Sequence, residues 1–254
     1  MQRHIFLTLL LVGAALCTPL SSKERIEKRQ SDSSLSLDDQ LVLATTDIER
    51  ISLVAAGGDE SFVFDFGNPP NGTQPPPGPG GSVVAATAGT FPALIGRQAA
   101  AALFILNPCG LVVPHTHPRS NEFILVTQGT VFTQFLTESG SLLISNTLTQ
   151  YQGTLFPQGS IHLEFNPTCN TSIFTAGFND NDPGVSAIAP NFLSLDPELI
   201  GATLGGDNVI SGAELASIEK ALPAAVVIQV ADCLKTCGIQ PNQKRSLKEV
   251  LNIS

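Results

Sequence analysis

Residues 82–189 are written in short β-rich runs, among them 101–106, 122–128, 130–136, 141–145 and 172–178, punctuated by Gly, Pro and Asn. Runs of that length and composition are strands, and their spacing is that of sandwiches and barrels. No long 3.6-residue periodicity interrupts them. The expected architecture is all-β, an antiparallel double-sheet jelly roll over residues 82–190, followed by C-terminal helices.

The chain has four histidines, and apart from His4 all of them fall in two of these runs. His115 and His117 are two apart, and side chains two apart share one face of a strand. Glu122 follows Pro118, Arg119, Ser120 and Asn121, a turn-like link expected to bring an adjacent strand back past the first, with Glu122 facing inward beside both imidazoles. Pro157, Gln158 and Gly159 are a turn signal, and His162 lies just beyond it on the next strand. Three neutral imidazoles and one carboxylate would hold a single divalent metal through a mixed nitrogen and oxygen set. Octahedral coordination leaves two positions open and suits Mn(II) or Fe(II); a closed tetrahedral Zn(II) site is the alternative.

Three further residue types are ambiguous. Glu164, two residues after His162, is a candidate catalytic acid or base if it shares the inward face, and a solvated strand-end carboxylate if it does not. Arg119 pairs with an acidic group at the mouth of the site or stands alone on the surface. Phe104, Phe123, Phe132, Phe135, Phe156, Phe165, Phe174 and Phe178 are read as core or interface aromatics.

The two histidine segments resemble the paired motifs of the cupins. They are carried by Gly110, His115, His117, Glu122 and Gly129, then by Gly153, Pro157, Gly159, His162 and Asn166. The His115-Thr-His-Pro-Arg119 string and Phe91-Pro-Ala-Leu94 are similar to germins and spherulins in particular. The resemblance spans residues 40–220. It implies a single cupin jelly-roll β-barrel per subunit, manganese on the four ligands, and trimers or hexamers assembled through terminal helices. Two departures bear on activity. Plant germins carry an N-terminal cysteine pair that is lacking here. Oxalate-oxidising germins place pocket asparagines at the positions of Val112 and Ala102, so the resemblance implies a wall more apolar than an oxalate site and a poor oxalate oxidase.

The N-terminus points to export. Arg3 precedes an apolar run over residues 5–16, about the length of a signal-peptide core and too short to span a bilayer. Residues 1–17 are read as a signal peptide, and 18–29, ending in Lys28-Arg29, as a propeptide. The whole chain has 13 basic and 22 acidic residues; the first 29 hold five and two of them, leaving 8 and 20, a net charge of −12. Such a chain repels nucleic acid and anionic membranes. Beyond Cys17 there remain Cys109, Cys169, Cys233 and Cys237, an even number consistent with two disulfides in a secreted protein. Three connectivities are open. Asn71, Asn170 and Asn252 head glycosylation sequons.

The flanks carry fewer signals. Residues 30–81 are read as N-terminal strands and a Pro/Gly-rich loop, with 31–40 loose, 41–52 lacking a clear period and 61–66 alternating as a strand. Residues 191–238 are read as helical. Asp196 and Pro197 open one helix, Ser211 and Glu214 form a capping box, Pro223 ends that helix or opens the next, and Gly238 closes the last. Residues 239–254 form a tail. Three functions compete: a manganese redox enzyme with superoxide dismutase-like activity; a non-catalytic wall, spore or encystment protein; and a small-ligand-binding cupin. All are expected to be secreted homo-oligomers without a membrane span, acting on a small molecule if on anything.

Overall fold

Strand β2 (Ala100–Leu106) lies between β1 (Gly81–Ala86) and β9 (Ser172–Phe178), and β4 (Glu122–Gln128) and β7 (Gly153–Phe156) complete a five-stranded antiparallel sheet in the order β1-β2-β9-β4-β7. The opposing sheet runs β10 (Ser186–Ala187), β3 (Gly110–Thr116), β8 (Ile161–Phe165), β5 (Thr130–Leu136), β6 (Ile144–Thr149). A late strand, β11 (Val227–Gln229), also pairs with β3. In this computed structural model the described residues are 35–70, 74–75, 77–205, 217–218, 220, 222 and 226–240. The leader and propeptide over 1–29, the Ser211–Glu214 box, Pro223, the tail past 240 and the sequons at Asn71 and Asn252 lie outside them.

Successive strands cross between the sheets, as a jelly roll requires: β3 to β4, β4 to β5, β6 to β7, β7 to β8 and β8 to β9 all change sheet. The β4–β5 corner is a single residue, Gly129, at φ +79°, where a Cβ would stand 2.6 Å from Ser172 Oγ. Only glycine meets both demands. The two sheets remain separate ladders, the antiparallel double-sheet jelly roll of the sequence reading.

The period-two pattern of the strands decides what is inside. On β4, Glu122, Ile124 and Val126 are buried while Phe123 and Leu125 face outward. Phe104, Leu106, Val112, Ile124, Val126, Val131 and Phe174 form the core between the sheets. The rings of Phe104 and Phe174 stack at 4.5 Å. Each such side chain contributes roughly 1.5–3 kcal/mol by leaving water. Phe123 is 53 % exposed, so it stands apart from the other phenylalanines of the core.

The N-terminal reading is corrected. Residues 35–62 contain no strand: α1 (Leu37–Leu43), α2 (Asp47–Ala55) and a 3-10 turn over Asp59–Phe62 replace it. Ser36 and Asp39 form a reciprocal capping box, and Thr46 accepts from the Glu49 amide, so the termini are signalled by side-chain caps. Leu41, Leu53 and Val54 bury together against Ala93 and Ile95. The alternating phenylalanines at 64 and 66 pack on each other at 4.9 Å and Phe64 on Phe91 at 5.5 Å, a local cluster that needs no ladder.

Downstream, α3 (Ile188–Leu193) is followed by α4 (Pro197–Thr203), which begins as expected: Asp196 accepts from the amides of Glu198 and Leu199. The segment is not wholly helical, because β11 returns to the sheet before α5 (Ala231–Thr236). Gly238, at φ +66°, ends α5, with the Ile239 amide donating to Leu234 O. The four cysteines pair as Cys109–Cys233 and Cys169–Cys237. Both bonds tie α5 and its approach to the barrel end, and Leu234 is buried there.

Candidate metal centre

His115, His117, Glu122 and His162 are each at most 4 % exposed, and a donor atom from each lies within 4.8 Å of the others. His115 and His117 come from β3 and its end, His162 from β8, and Glu122 from the first position of β4. The link through Pro118–Asn121 does not return to an adjacent strand as the sequence suggested. It crosses to the opposite sheet, so Glu122 approaches the imidazoles across the interior. Ser120, buried in that link, bonds Asn179 Oδ1 and receives the Asn179 amide, which fixes the crossing.

A bulge aligns the histidines. Val112 pairs with Glu164 across β3 and β8, yet His115 pairs with His162, one residue out of register. Residues three apart on a regular strand point to opposite faces; the extra residue in β3 lets Val112 and His115 both point inward. The imidazole centroids of His115 and His162 then lie 4.2 Å apart, and those of His115 and His117 5.0 Å apart. Phe156 stacks on His162 at 4.5 Å and Phe178 meets His117 edge-on at 4.8 Å, so aromatic walls hold both rings.

Each imidazole has its Nδ1 against a backbone carbonyl: Val113 O for His115, Gly184 O for His117 and Ser160 O for His162. A carbonyl only accepts, so Nδ1 carries the proton and the Nε2 lone pair is left to point inward. Glu122 Oε2 lies 3.0 Å from the Nε2 atoms of both His117 and His162. The His162 contact has hydrogen-bond geometry, whereas His117 Nε2 and Glu122 Oε1 have no hydrogen-bond partner among the described residues. Burial, with the neighbouring His162, lowers His115 to about 3, so it is neutral. Burial would raise Glu122, but the adjoining His117 and His162 outweigh it and lower the carboxyl to about 2. Converging lone pairs and one carboxylate in a dry interior repel one another unless a cation stands among them. The donor set therefore fits a divalent metal. The other cluster of possible ligands among the described residues, Cys109, Cys233 and Cys237, is committed to disulfides.

Glu164 is buried, at 1 % exposure, which rules out the solvated reading. Its strand partners are Val112 on one side and Thr133 on the other, one inward row beyond His162. Neither carboxylate oxygen has a hydrogen-bond partner among the described residues, nor does Thr133 Oγ1. Burial pushes the carboxyl well above its ordinary range, and the charge of Glu122 adds to it. Arg119 pairs with Asp182 at 2.7 Å while its Nε donates to Asp182 O and its amide to Pro183 O. That strap carries Gly184, whose carbonyl orients His117. Sequence reasoning missed Gly184, because a backbone oxygen 67 residues away leaves no side-chain signature.

Beside His115 and His117 opens a cavity of about 320 Å³ walled by Val83, Ala85, Phe104, Val112, Val185 and Val226. Val112 is thus in the wall, while Ala102 lies in the core beneath it.

A family model described as Cupin matches residues 68–209. The chain is 36 % identical over 208 residues to Spherulin-1A of Physarum polycephalum, covering 82 % of this chain and 81 % of that one. It is 31 % identical to the putative germin-like protein 3-2 of Oryza sativa subsp. japonica, over 57 % of this chain and 64 % of the relative. A recombinant oxalate oxidase solved with glycolate superposes with a TM-score of 0.57 at 20 % identity, covering 65 % of this chain and 82 % of that chain; at that identity the likeness is one of fold.

Proposed function

This chain belongs to the cupin family, and from that premise we propose that it is a secreted, manganese-holding germin- and spherulin-like protein with redox activity of the superoxide dismutase type. The observation that carries the reading is the convergence of three Nε2 lone pairs, each set by a carbonyl on Nδ1, on the Glu122 carboxylate. His115, His117, Glu122 and His162 would hold the ion; Mn(II) or Fe(II) suits this set, with Zn(II) as the closed alternative. The bound metal would supply a one-electron redox centre.

The chain's own residues supply the rest. Phe156 and Phe178 exclude water from the imidazoles. Glu164, whose carboxyl burial and the charge of Glu122 push upward, would act as the proton reserve of the site, the part of a general acid. The cavity wall offers no side-chain donor at Val112 for the outer oxygens of oxalate, so oxalate oxidation should be slow. The relatives named as spherulin and germin-like proteins support the alternative of a wall, spore or encystment protein with little turnover. Secretion accords with the two disulfides, and a trimer or hexamer with the germin resemblance.

The test is elemental analysis of the secreted protein, expected to give about one Mn or Fe per chain. The His115→Ala, His117→Ala double variant should lose it, and full retention would sink the assignment. Superoxide and oxalate assays on the metal-replete protein then separate redox turnover from the non-catalytic alternative.

A further inference from the structure

The cavity beside His115 and His117 has a chemical character that narrows its occupant. Among the described residues its wall is hydrocarbon: Val83 and Ala85 from β1, Phe104 from β2, Val112 from the bulge of β3, Val226 from the approach to β11, and Val185. Among the described residues, the only polar side chains lining it are the two imidazoles. Their Nδ1 protons are already given to Val113 O and Gly184 O, so neither is free to donate to a ligand. The volume, about 320 Å³, lies at the lower end of the roughly 300–1,000 Å³ typical of ligand pockets. It admits one ring or a short branched chain.

Among the described residues, a molecule in this space would meet one place for negative charge, at an ion held by the histidines, and no other group that stabilises charge. A second carboxylate would face valine methyls without a donor, which is costly. A hydrocarbon body would leave water for contact with those same methyls, which is favourable. We propose that the site takes a small monoacid, with one anionic oxygen head at the metal and an uncharged aliphatic or aromatic body in the Val83–Phe104–Val112–Val226 cavity. This rests on the metal-holding reading of the four ligands and adds the substrate class. Val112 and Val226 are then the specificity-determining residues. Val112 owes its place in the wall to the β3 bulge, and Val226 to the bond from the Val113 amide to Val226 O at 3.0 Å.

The experiment uses the full chain loaded with Mn(II), with metal content measured before and after each titration. Acetate, isovalerate, benzoate and oxalate are titrated at pH 7 by calorimetry, and the Mn(II) electron paramagnetic resonance spectrum is recorded with each. Acetate shares its head with isovalerate and benzoate, so the comparison isolates the body. Isovalerate or benzoate should bind at least ten-fold more tightly than acetate and change the Mn(II) spectrum. Val226→Ser and, independently, Val83→Ser should reduce that preference at least three-fold with metal content unchanged, and Val112→Asn should shift binding toward oxalate. Equal affinity for the three monoacids on metal-replete protein overturns this proposal and leaves the metal reading standing. So does binding that leaves the spectrum unchanged, or a preference indifferent to both serine variants. Protein that takes up no metal overturns both.

Discussion

Glu164 and His115 are both buried ionisable groups, yet burial drives them in opposite directions on the pH axis. For His115 the folded state holds the imidazole neutral down to about 3, whereas the unfolded chain takes the proton near 6.5. Its contribution to stability is full above pH 6.5 and is lost as pH falls toward 3. Glu122 behaves alike, its share full above pH 4.5 and lost as pH falls toward 2. Glu164 is raised, so its share is full below pH 4.5 and is lost as pH rises through the folded value. Between pH 6.5 and 4.5 the gain from Glu164 opposes the loss from His115, so metal-free protein should melt at falling temperatures once pH is taken below 4.5 toward 3. Glu164→Gln, which keeps the shape and removes the charge, should melt higher than the parent at pH 8 and level with it at pH 4. Melting curves across that range check both signs, and an unchanged difference between the two pH values would refute the buried-acid account.

Among the elements, the strap over residues 180–184 and the bulge in β3 set the proposed ligands. Gly184 sits at φ +67°, and a Cβ there would stand 2.8 Å from Arg119 Nη2. Gly184→Ala should cost about 1–2 kcal/mol, from the left-handed backbone and the displaced arginine. It should also weaken metal retention by roughly 10-fold or more, the usual effect of disturbing a group that orients a ligand histidine. Asp182→Ala removes the partner of Arg119 at the exposed end of the same strap. A surface pair is worth only about 0–1 kcal/mol, so that variant should lose little stability and show a smaller rise in metal off-rate, measurable by chelator competition. Within the sheets, Ile124→Ala in the centre of β4 should cost about 2–5 kcal/mol in urea unfolding, since the residue is fully buried in the core.

For the molecule as a whole, the C-terminal return matters more than its length suggests. β11 covers the edge of β3 that carries Val112, and Cys109–Cys233 closes 124 residues of chain around it. A loop of that size places the bond near the upper end of the ~2–5 kcal/mol range for native disulfides. The Cys109→Ser, Cys233→Ser variant should lose stability on that scale. It should also free Val226 from the cavity wall, so amide exchange on β11 should speed up before the remaining strands open. Exchange rates on β11 matching those of β8 in the variant would show that the strand holds without the bond.

Much of this was written locally. The parity of His115 and His117, the Pro157–Gly159 turn before His162, the Asp196 cap and the Gly238 stop each depend on residues within one or two turns of each other, where periodicity and capping act. Most strand runs followed from the same alternation, but the run expected over 141–145 is displaced: the strand there is Ile144–Thr149. The N-terminal helices were hidden because their apolar faces are too short to set up a period over 41–52, although Ser36–Asp39 and Thr46–Glu49 were legible as caps. Other features had no local cause. The extra residue between Val112 and His115 shows only in the pairing with β8. Glu122 reaches the histidines from the facing sheet, and the His117 tautomer rests on a carbonyl 67 residues away. The disulfide partners and the burial of Glu164 likewise depend on what the opposing layer and the returning C-terminus bring near. The sequence by itself determined which atoms are available as ligands and which face of each strand they take, because side-chain chemistry and strand parity are local. The tertiary structure alone decided how they converge, because register between strands and the distance between sheets are set by the packing of the whole core.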